Sequence, residues 1–325
     1  VTFITAKGTV QNHREAGAGG FNGSTSLTGR NDMNGEVPVL LDTDIGTDID
    51  DAVALSYLLA ERRCNLLGVS TVTGGAPKRA MLADAICRAA GRKDVPVWSG
   101  AEAPLLVEQR QKDVPQAEAL YNWDHQEYVQ HILAVMQMGD FIGAYPQEVV
   151  LISIGPLTNL GLLFRLDPEI PRMLDRLVVM GGTYQPPGCE WNISGDPHAA
   201  AVVFGADVPR VQVYGLNVTT RCKKSAAECR EACSGGPLDL VAEMAEVWFR
   251  KTDEMTFHDP LAACCIFEPD ICSYLYGEVE VEYTDPDRMG HTSLEEKQSG
   301  KHGVAMDVNP DEFFDRYFNT IDVFS

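Results

Sequence analysis

The sequence predicts an α/β fold, a mostly parallel central sheet flanked by helices. From Val37 onward, short apolar runs of strand length alternate with longer segments of helical periodicity. Strands alternating with helices build parallel sheets covered on both faces. The composition allows the large core such a fold needs: of 325 residues, 45% are hydrophobic and 22% charged, the balance of an ordinary globular chain. The length corresponds to one large domain or two small ones, and no repeat or linker interrupts the pattern after residue 37.

The elements follow in order. Val37–Leu41 is an apolar run of the kind found in buried strands, and Ala52–Ala60 is helical. Leu66–Val72 reads as a strand, Arg79–Ala90 as a helix and Val95–Trp98 as a short strand. A longer helix is expected over Trp123–Met138. Val149–Ile154 is strand-like, Leu157–Leu166 helical, Leu177–Met180 strand-like and His198–Phe204 helical, and Val211–Leu216 closes the series. In open sheets of this type, sites form at the carboxyl ends of strands.

Residues 1–36 differ. Ala16–Gly35 is rich in Gly, Asn, Ser and Thr with little apolar periodicity, so a flexible or loosely packed arm is expected. No basic start precedes an apolar stretch, which gives no support for a signal peptide. No run approaches the roughly eighteen apolar residues of a membrane span, so a soluble chain is expected. Lys plus Arg number 26 against 47 Asp plus Glu, a formal net charge of −21. A surface this acidic repels phosphate backbones and anionic lipid, which argues against nucleic acid or membrane partners. The nine cysteines show no disulfide framework, and Cys222, Cys229 and Cys233 lack the paired two-residue gaps of a zinc site. Reduced cysteines in a cytoplasmic protein are expected.

Five carboxylates, Asp42, Asp44, Asp48, Asp50 and Asp51, lie within ten residues just where the first strand turns into the first helix. Like charges so close repel. One of them could cap the helix, but that leaves Asp42, Asp44 and Asp51 together unexplained. A helix N-terminus offsets some negative charge, and a hard cation would offset far more, since oxygen-rich clusters are what Ca²⁺ and Mg²⁺ require. An EF-hand is excluded, because a strand precedes the cluster and the ligand spacing does not continue.

Asp42-Thr-Asp44, followed by Asp50-Asp51-Ala-Val-Ala-Leu, resembles the amino-terminal signature of the nucleoside hydrolases, calcium-dependent N-ribohydrolases. The Ile-Gly-Thr-Asp-Ile interval is similar to a longer bacterial variant. Ser153-Ile-Gly-Pro-Leu-Thr-Asn159 resembles the family's Gly-Pro-Leu-Thr-Asn loop, and Val179-Met-Gly-Gly-Thr with Glu190-Trp-Asn192 and Asp196-Pro its central segments. His258-Asp259-Pro resembles its late His-Asp pair. The four matches are in the expected order and reach from Val37 to about Leu261.

The resemblance implies the nucleoside hydrolase fold with its Rossmann-like core, with residues 37–325 as a single catalytic domain. The implied reaction is hydrolysis of the N-glycosidic bond of ribonucleosides to ribose and free base. Asp44, Asp51, Asp259 and the carbonyl of Ile154 would ligate Ca²⁺. Asp44 would be the general base for an attacking water. Asp50, Glu190 and Asn192 would bind the ribose, Glu190 at the 5′-hydroxyl. His258 is the expected acid for the leaving base, since imidazole exchanges protons near neutral pH; His125, His131 and His291 lack that context. Family members are usually homodimers or homotetramers.

Several positions stay open. Asn159 could support its loop or contact substrate, and Trp191 could serve the core or the site. Asp42 could support the metal shell, and Asp48 could face solvent. Many members carry Asn or Asp as a further ribose contact after the second strand, where this chain has Thr73-Gly74-Gly75. Trp98, Tyr121, Trp123, Tyr184 and Phe257 are possible stacking partners for the base. A haloacid-dehalogenase-type phosphohydrolase also begins with Asp-x-Asp but leaves Asp50-Asp51 without a role. A catalytically silent nucleoside-binding protein is the other alternative.

Overall fold

The computed structural model describes residues 35–129, 133–232 and 234–324; the arm expected over residues 1–36 lies almost wholly outside them, as do His131 and Cys233. Twelve strands are present among the described residues: β1 Val37–Thr43, β2 Cys64–Thr71, β3 Val97–Ser99, β4 Val150–Ser153, β5 Arg176–Met180, β6 Gly188–Cys189, β7 Val211–Tyr214, β8 Lys223–Ser225, β9 Glu254–Thr256, β10 Cys272–Val281, β11 His291–Glu296 and β12 His302–Val308. Ten form one sheet in the order β3-β2-β1-β4-β5-β7-β12-β10-β11-β6. From β3 to β12 every pairing is parallel, and the last three additions are antiparallel. β8 and β9 form a separate two-stranded ribbon.

The strand order explains where a site can form. From β1 the chain moves outward through β2 and β3, then returns to the other side of β1 with β4 and β5. The crevice between the carboxyl ends of β1 and β4 is therefore the topological switch point. Side-chain alternation along β1 feeds a core on each face of the sheet. Val39 and Leu41 join the layer containing helices Asp50–Ala60, Ala76–Ala89 and Pro310–Ile321. Leu40 joins the opposite layer with helices Leu133–Ala144, Thr158–Leu166 and Pro197–Gly205. Each fully buried Leu, Ile or Val contributes roughly 1.5–3 kcal/mol, and burial of β1 on both faces holds its carboxyl end rigidly.

The strands and helices expected up to Tyr214 are present with ends shifted by up to a few residues, with one exception. The helix expected over Trp123–Met138 is displaced: a 3₁₀ helix covers Pro115–Asn122 and the α-helix runs over Leu133–Ala144. Over residues 123–129 one tertiary contact and one local one hold the chain out of a helix. The Gln126 N–H donates to Asp84 Oδ2 at 2.6 Å, and His125 Nδ1 lies 2.7 Å from the Trp123 carbonyl oxygen. The series also does not close at β7. Strands β10, β11 and β12 extend the sheet by segments whose apolar residues are interleaved with Glu, His and Thr.

No disulfide joins any two described cysteines. Among the described residues no helix is long and apolar enough to cross a membrane.

Candidate active site

At the switch point a cavity of about 430 Å³ opens, lined by Asp44, Asp48, Asp50, Asp51, Glu190, Asn192, His258 and Asp259 together with Gln111 and Trp191. That volume is in the range of small-molecule sites. Of the residues expected from the sequence to act, Asp44, Asp50, Asp51, Ile154, Glu190, Asn192, His258 and Asp259 all face it.

Asp44 follows β1, and Asp50 and Asp51 open the helix Asp50–Ala60. The N-cap position of that helix is Ile49, and no side chain caps it, so the cluster is not explained by capping. Asp51 Oδ1 accepts from Thr43 Oγ1 at 2.5 Å. Asp259 lies in the first turn of the helix His258–Cys264, and its N–H donates to Asp50 Oδ2 at 3.2 Å. The amino ends of two helices thus meet over the carboxylates and offset part of their charge. Oxygens of Asp50, Asp51 and Asp259 lie within 4.8 Å of one another. Asp44 stands beside this trio, its Oδ2 accepting from Gln111 Nε2 at 2.9 Å.

Burial and mutual repulsion raise the whole group. Asp50, Asp51 and Asp259 are held well above the usual carboxylate range, chiefly by desolvation and then by neighbouring carboxylates: Asp48 and Asp51 for Asp50, Asp44 and Asp48 for Asp51, Asp50 and Asp51 for Asp259. Asp44 is also raised by burial, against the opposing pull of Arg79. Asp48 is pushed up to about 6 by burial; it is half-buried and lines the cavity. A divalent cation fits this donor set: hard carboxylate oxygens, close together, desolvated and short of positive charge.

Asp42 and Asn159 serve the frame. Asp42 is fully buried, and its Oδ1 accepts from Ser70 Oγ at 2.6 Å and Asn159 Nδ2 at 2.7 Å. Asn159 Nδ2 also donates to the Thr71 carbonyl, and its Oδ1 accepts the Ala101 N–H. Both residues therefore tie β1, β2 and the following loop together behind the site, and burial raises Asp42 to about 7.

Glu190 caps the short helix Trp191–Gly195, its two oxygens accepting from the N–H groups of Asn192, Ile193 and Gly182 at 2.7, 3.1 and 3.0 Å. Burial raises it while these three donors hold it down. Asn192 Nδ2 donates to the carbonyls of Ile154 at 2.9 Å and Met180 at 3.2 Å, joining the ends of β4 and β5. Trp191 is 50% exposed and lines the cavity, so it does not belong to the core. His258 Nδ1 lies 2.7 Å from Thr219 Oγ1. Burial, with Lys223 nearby, lowers His258 to about 4, so its imidazole is neutral at pH 7.

Three residues of the site escaped the sequence reading. Arg79 is fully buried and donates to the carbonyls of Asp44 and Ile45 and to Thr47 Oγ1; it brings a fixed positive charge beneath the carboxylates. Gln111 arrives on a loop, and Trp248 ends the helix Pro237–Trp248 at the cavity wall. The five aromatics suggested for stacking do not line the cavity: Phe257, for one, packs among Phe313, Phe314, Tyr317 and Phe318. The cavity's aromatic rings are Trp191 and Trp248.

A parallel sheet with an acidic cavity at its switch point is the architecture of the nucleoside hydrolases. Two solved structures superpose along most of their length: the plant nucleoside hydrolase PpNRh1 (TM-score 0.75, 22% identity, 88% of this chain and 98% of that one) and a purine-preferring ribonucleoside hydrolase from Gardnerella vaginalis (TM-score 0.76, 23% identity, the same coverage). The sequence profile of the inosine-uridine preferring nucleoside hydrolases matches residues 39–315. Uridine nucleosidase 1 of Arabidopsis thaliana is 30% identical over 288 residues, 79% of this chain and 82% of that protein. The pyrimidine-specific ribonucleoside hydrolase RihA of Citrobacter koseri is 29% identical over 265 residues, 76% of this chain and 84% of that protein. The chain belongs to the inosine-uridine preferring nucleoside hydrolase family, glycosidases that cleave the N-glycosidic bond of ribonucleosides. This membership sets aside the phosphohydrolase alternative.

Proposed function

We propose that this chain releases ribose and free base from ribonucleosides with the help of a bound Ca²⁺, and that pyrimidine nucleosides are its better substrates. The observation that carries the proposal is the trio Asp50, Asp51 and Asp259, buried and converging within 4.8 Å at the wall of a nucleoside-sized cavity. The relatives named for uridine and for pyrimidine nucleosides support the base preference.

Asp51, Asp259, Asp44 and the Ile154 carbonyl would hold the ion, and Asp50, whose oxygen converges with those of Asp51 and Asp259, would accept from a ribose hydroxyl. Bound there, Ca²⁺ would screen the carboxylates from one another and acidify the attacking water. Asp44 accepts the water's proton, its carboxylate oriented by Gln111 and its charge balanced by Arg79. Glu190 and Asn192 orient the sugar, and the anionic wall favours positive charge developing on the ribose ring. His258 faces the departing base, and its ring N–H would donate to the negative charge developing there, a contribution that matters most for a base that leaves poorly. Residues 37–325 act as one catalytic domain, assembled as a homodimer or homotetramer, which rests on the resemblance, and placed in the cytoplasm, which rests on the unpaired pattern of the cysteines.

Ribose release from uridine, cytidine, inosine and adenosine tests the reading. Turnover of the pyrimidine nucleosides ahead of the purines is expected, and no ribose from any of the four would overturn it in favour of a silent binding protein. For His258→Ala, a loss of about 10²-fold on uridine is expected, against only a few-fold on a riboside with an activated aryl leaving group. Equal losses on both would remove His258 from proton delivery.

A further inference from the structure

We propose that Gln111 is a positioning residue for Asp44, carried into the site by a strap that three glycines of this chain admit. The role given to Asp44 rests on the reading above; the strap rests on geometry.

The segment from Glu102 to Gln116 leaves the end of β3 and crosses the carboxyl ends of β1 and β2. Gln111 is 9% exposed and lines the cavity. Its Nε2 donates to Asp44 Oδ2 and to Thr47 Oγ1, both at 2.9 Å, and its Oε1 accepts from Trp191 Nε1 at 2.5 Å. Both amide protons and the carbonyl are engaged, so the carboxamide has one orientation. Arg79 reaches the backbone carbonyl of Asp44, whereas Gln111 grips the carboxylate itself. Charge balance and aim are thus supplied by different residues.

The strap lies where side chains would otherwise be. A Cβ on Gly74 would come within 2.4 Å of the Gln111 carbonyl oxygen and 2.8 Å of Lys112 Cα. Gly75, at φ +75°, would place one 2.6 Å from Val114 Cγ2, and Gly46, at φ +117°, one 2.5 Å from Val114 Cγ1. The contacts at Gly74 are with backbone and leave no room to yield, whereas those at Gly75 and Gly46 fall on the Val114 side chain, and there the positive φ is the second reason for glycine. The strap is tied on both sides: Gln109 Nε2 donates to Thr73 Oγ1 at 3.0 Å, the Gln116 N–H to the Gly46 carbonyl at 3.1 Å, and Arg79 Nη2 to the Asp113 carbonyl at 3.3 Å. The Gly74-Gly75 pair and the lengthened interval holding Gly46 and Thr47 looked unrelated in the sequence. Together they are the seat of one segment, and the amide that segment carries occupies the site beside Asp44.

Three variants and a spectroscopic readout test this. Gln111→Met keeps the volume and removes the donor; kcat is expected to fall about 10- to 100-fold with KM within about threefold and the melting temperature nearly unchanged. Gln111→Glu, which sets a carboxylate against Asp44, should lose at least as much. Gly74→Ala should lose a similar factor by lifting the strap, and combining it with Gln111→Met should cost little more than either alone, because both break one contact. Unchanged kcat in Gln111→Met, or losses that multiply in the double variant, would overturn the proposal. The second readout is exchange of the Trp191 indole proton in protein labelled with ¹⁵N-tryptophan, assigned with Trp191→Phe. It should be slow in the wild type and fast in Gln111→Met and Gly74→Ala, whether or not a nucleoside is cleaved. A wild type that cleaves no nucleoside but shows this pattern loses the hydrolase reading and keeps the strap; equal exchange in all three overturns the strap.

Discussion

Chelation of divalent cations is expected to abolish ribose release, and addition of Ca²⁺ to restore it. Asp44, Asp50, Asp51 and Asp259 are each at most 6% exposed and all are raised by burial; they cannot all be ionised together without a cation among them. The same physics makes the stability of the metal-free protein depend on pH. In the unfolded chain these carboxylates ionise near 4. In the folded chain Asp48 is raised to about 6, Asp42 to about 7, and the trio higher than usual. Over that window the folded state holds protons the unfolded state has released. The metal-free protein therefore loses stability as pH rises, by up to about 1.4 kcal/mol per pH unit for each such group. Ca²⁺ should raise the melting temperature more at pH 8 than at pH 5, as differential scanning calorimetry would show. Full turnover in excess chelator, or a metal-free protein that gains stability between pH 5 and 8, would falsify the assignment.

Asp44→Asn is expected to lower kcat by about 10²- to 10⁴-fold, the range for removal of a general base, while KM moves little. The substitution is nearly isosteric, and its amide oxygen can still accept from Gln111, so a collapse of turnover would report the lost charge and basicity rather than a lost shape. Stability should move the opposite way. One repelling carboxylate is removed from a buried set, so the metal-free Asp44→Asn protein should melt above the metal-free wild type. A near-normal kcat would remove the base role, and a lower melting temperature would mean that Arg79 outweighs the neighbouring carboxylates at this position.

The sequence disclosed much of the architecture and half of the site, for identifiable reasons. The acidic motif was legible because the apolar run Val37–Leu41 that opens β1 is short and followed at once by the carboxylates. Asp259 and the Glu190–Asn192 pair were legible only through resemblance, since nothing local links residues so far apart in the chain. Gln111 and Arg79 were not legible at all: a glutamine on an irregular loop carries no periodic signal, and what places it is the missing bulk at Gly46, Gly74 and Gly75. The helix misplaced over Trp123–Met138 shows local propensity yielding to a tertiary bond, that of the Gln126 N–H with Asp84. Strands β10 to β12 escaped because half-buried strands dilute their apolar residues with Glu and Thr.

Asp50 and Asp259, which meet through a main-chain hydrogen bond, stand 209 residues apart. A ribosome elongating at 5–20 residues per second needs roughly 10–40 s to travel that distance. For that interval the emerging polypeptide carries the first half of an ion-binding cluster without its last carboxylate. Tight uptake of the proposed ion would thus wait until the chain has been made past Asp259, and a fragment that stops before β9 should bind it weakly even where its first strands have paired.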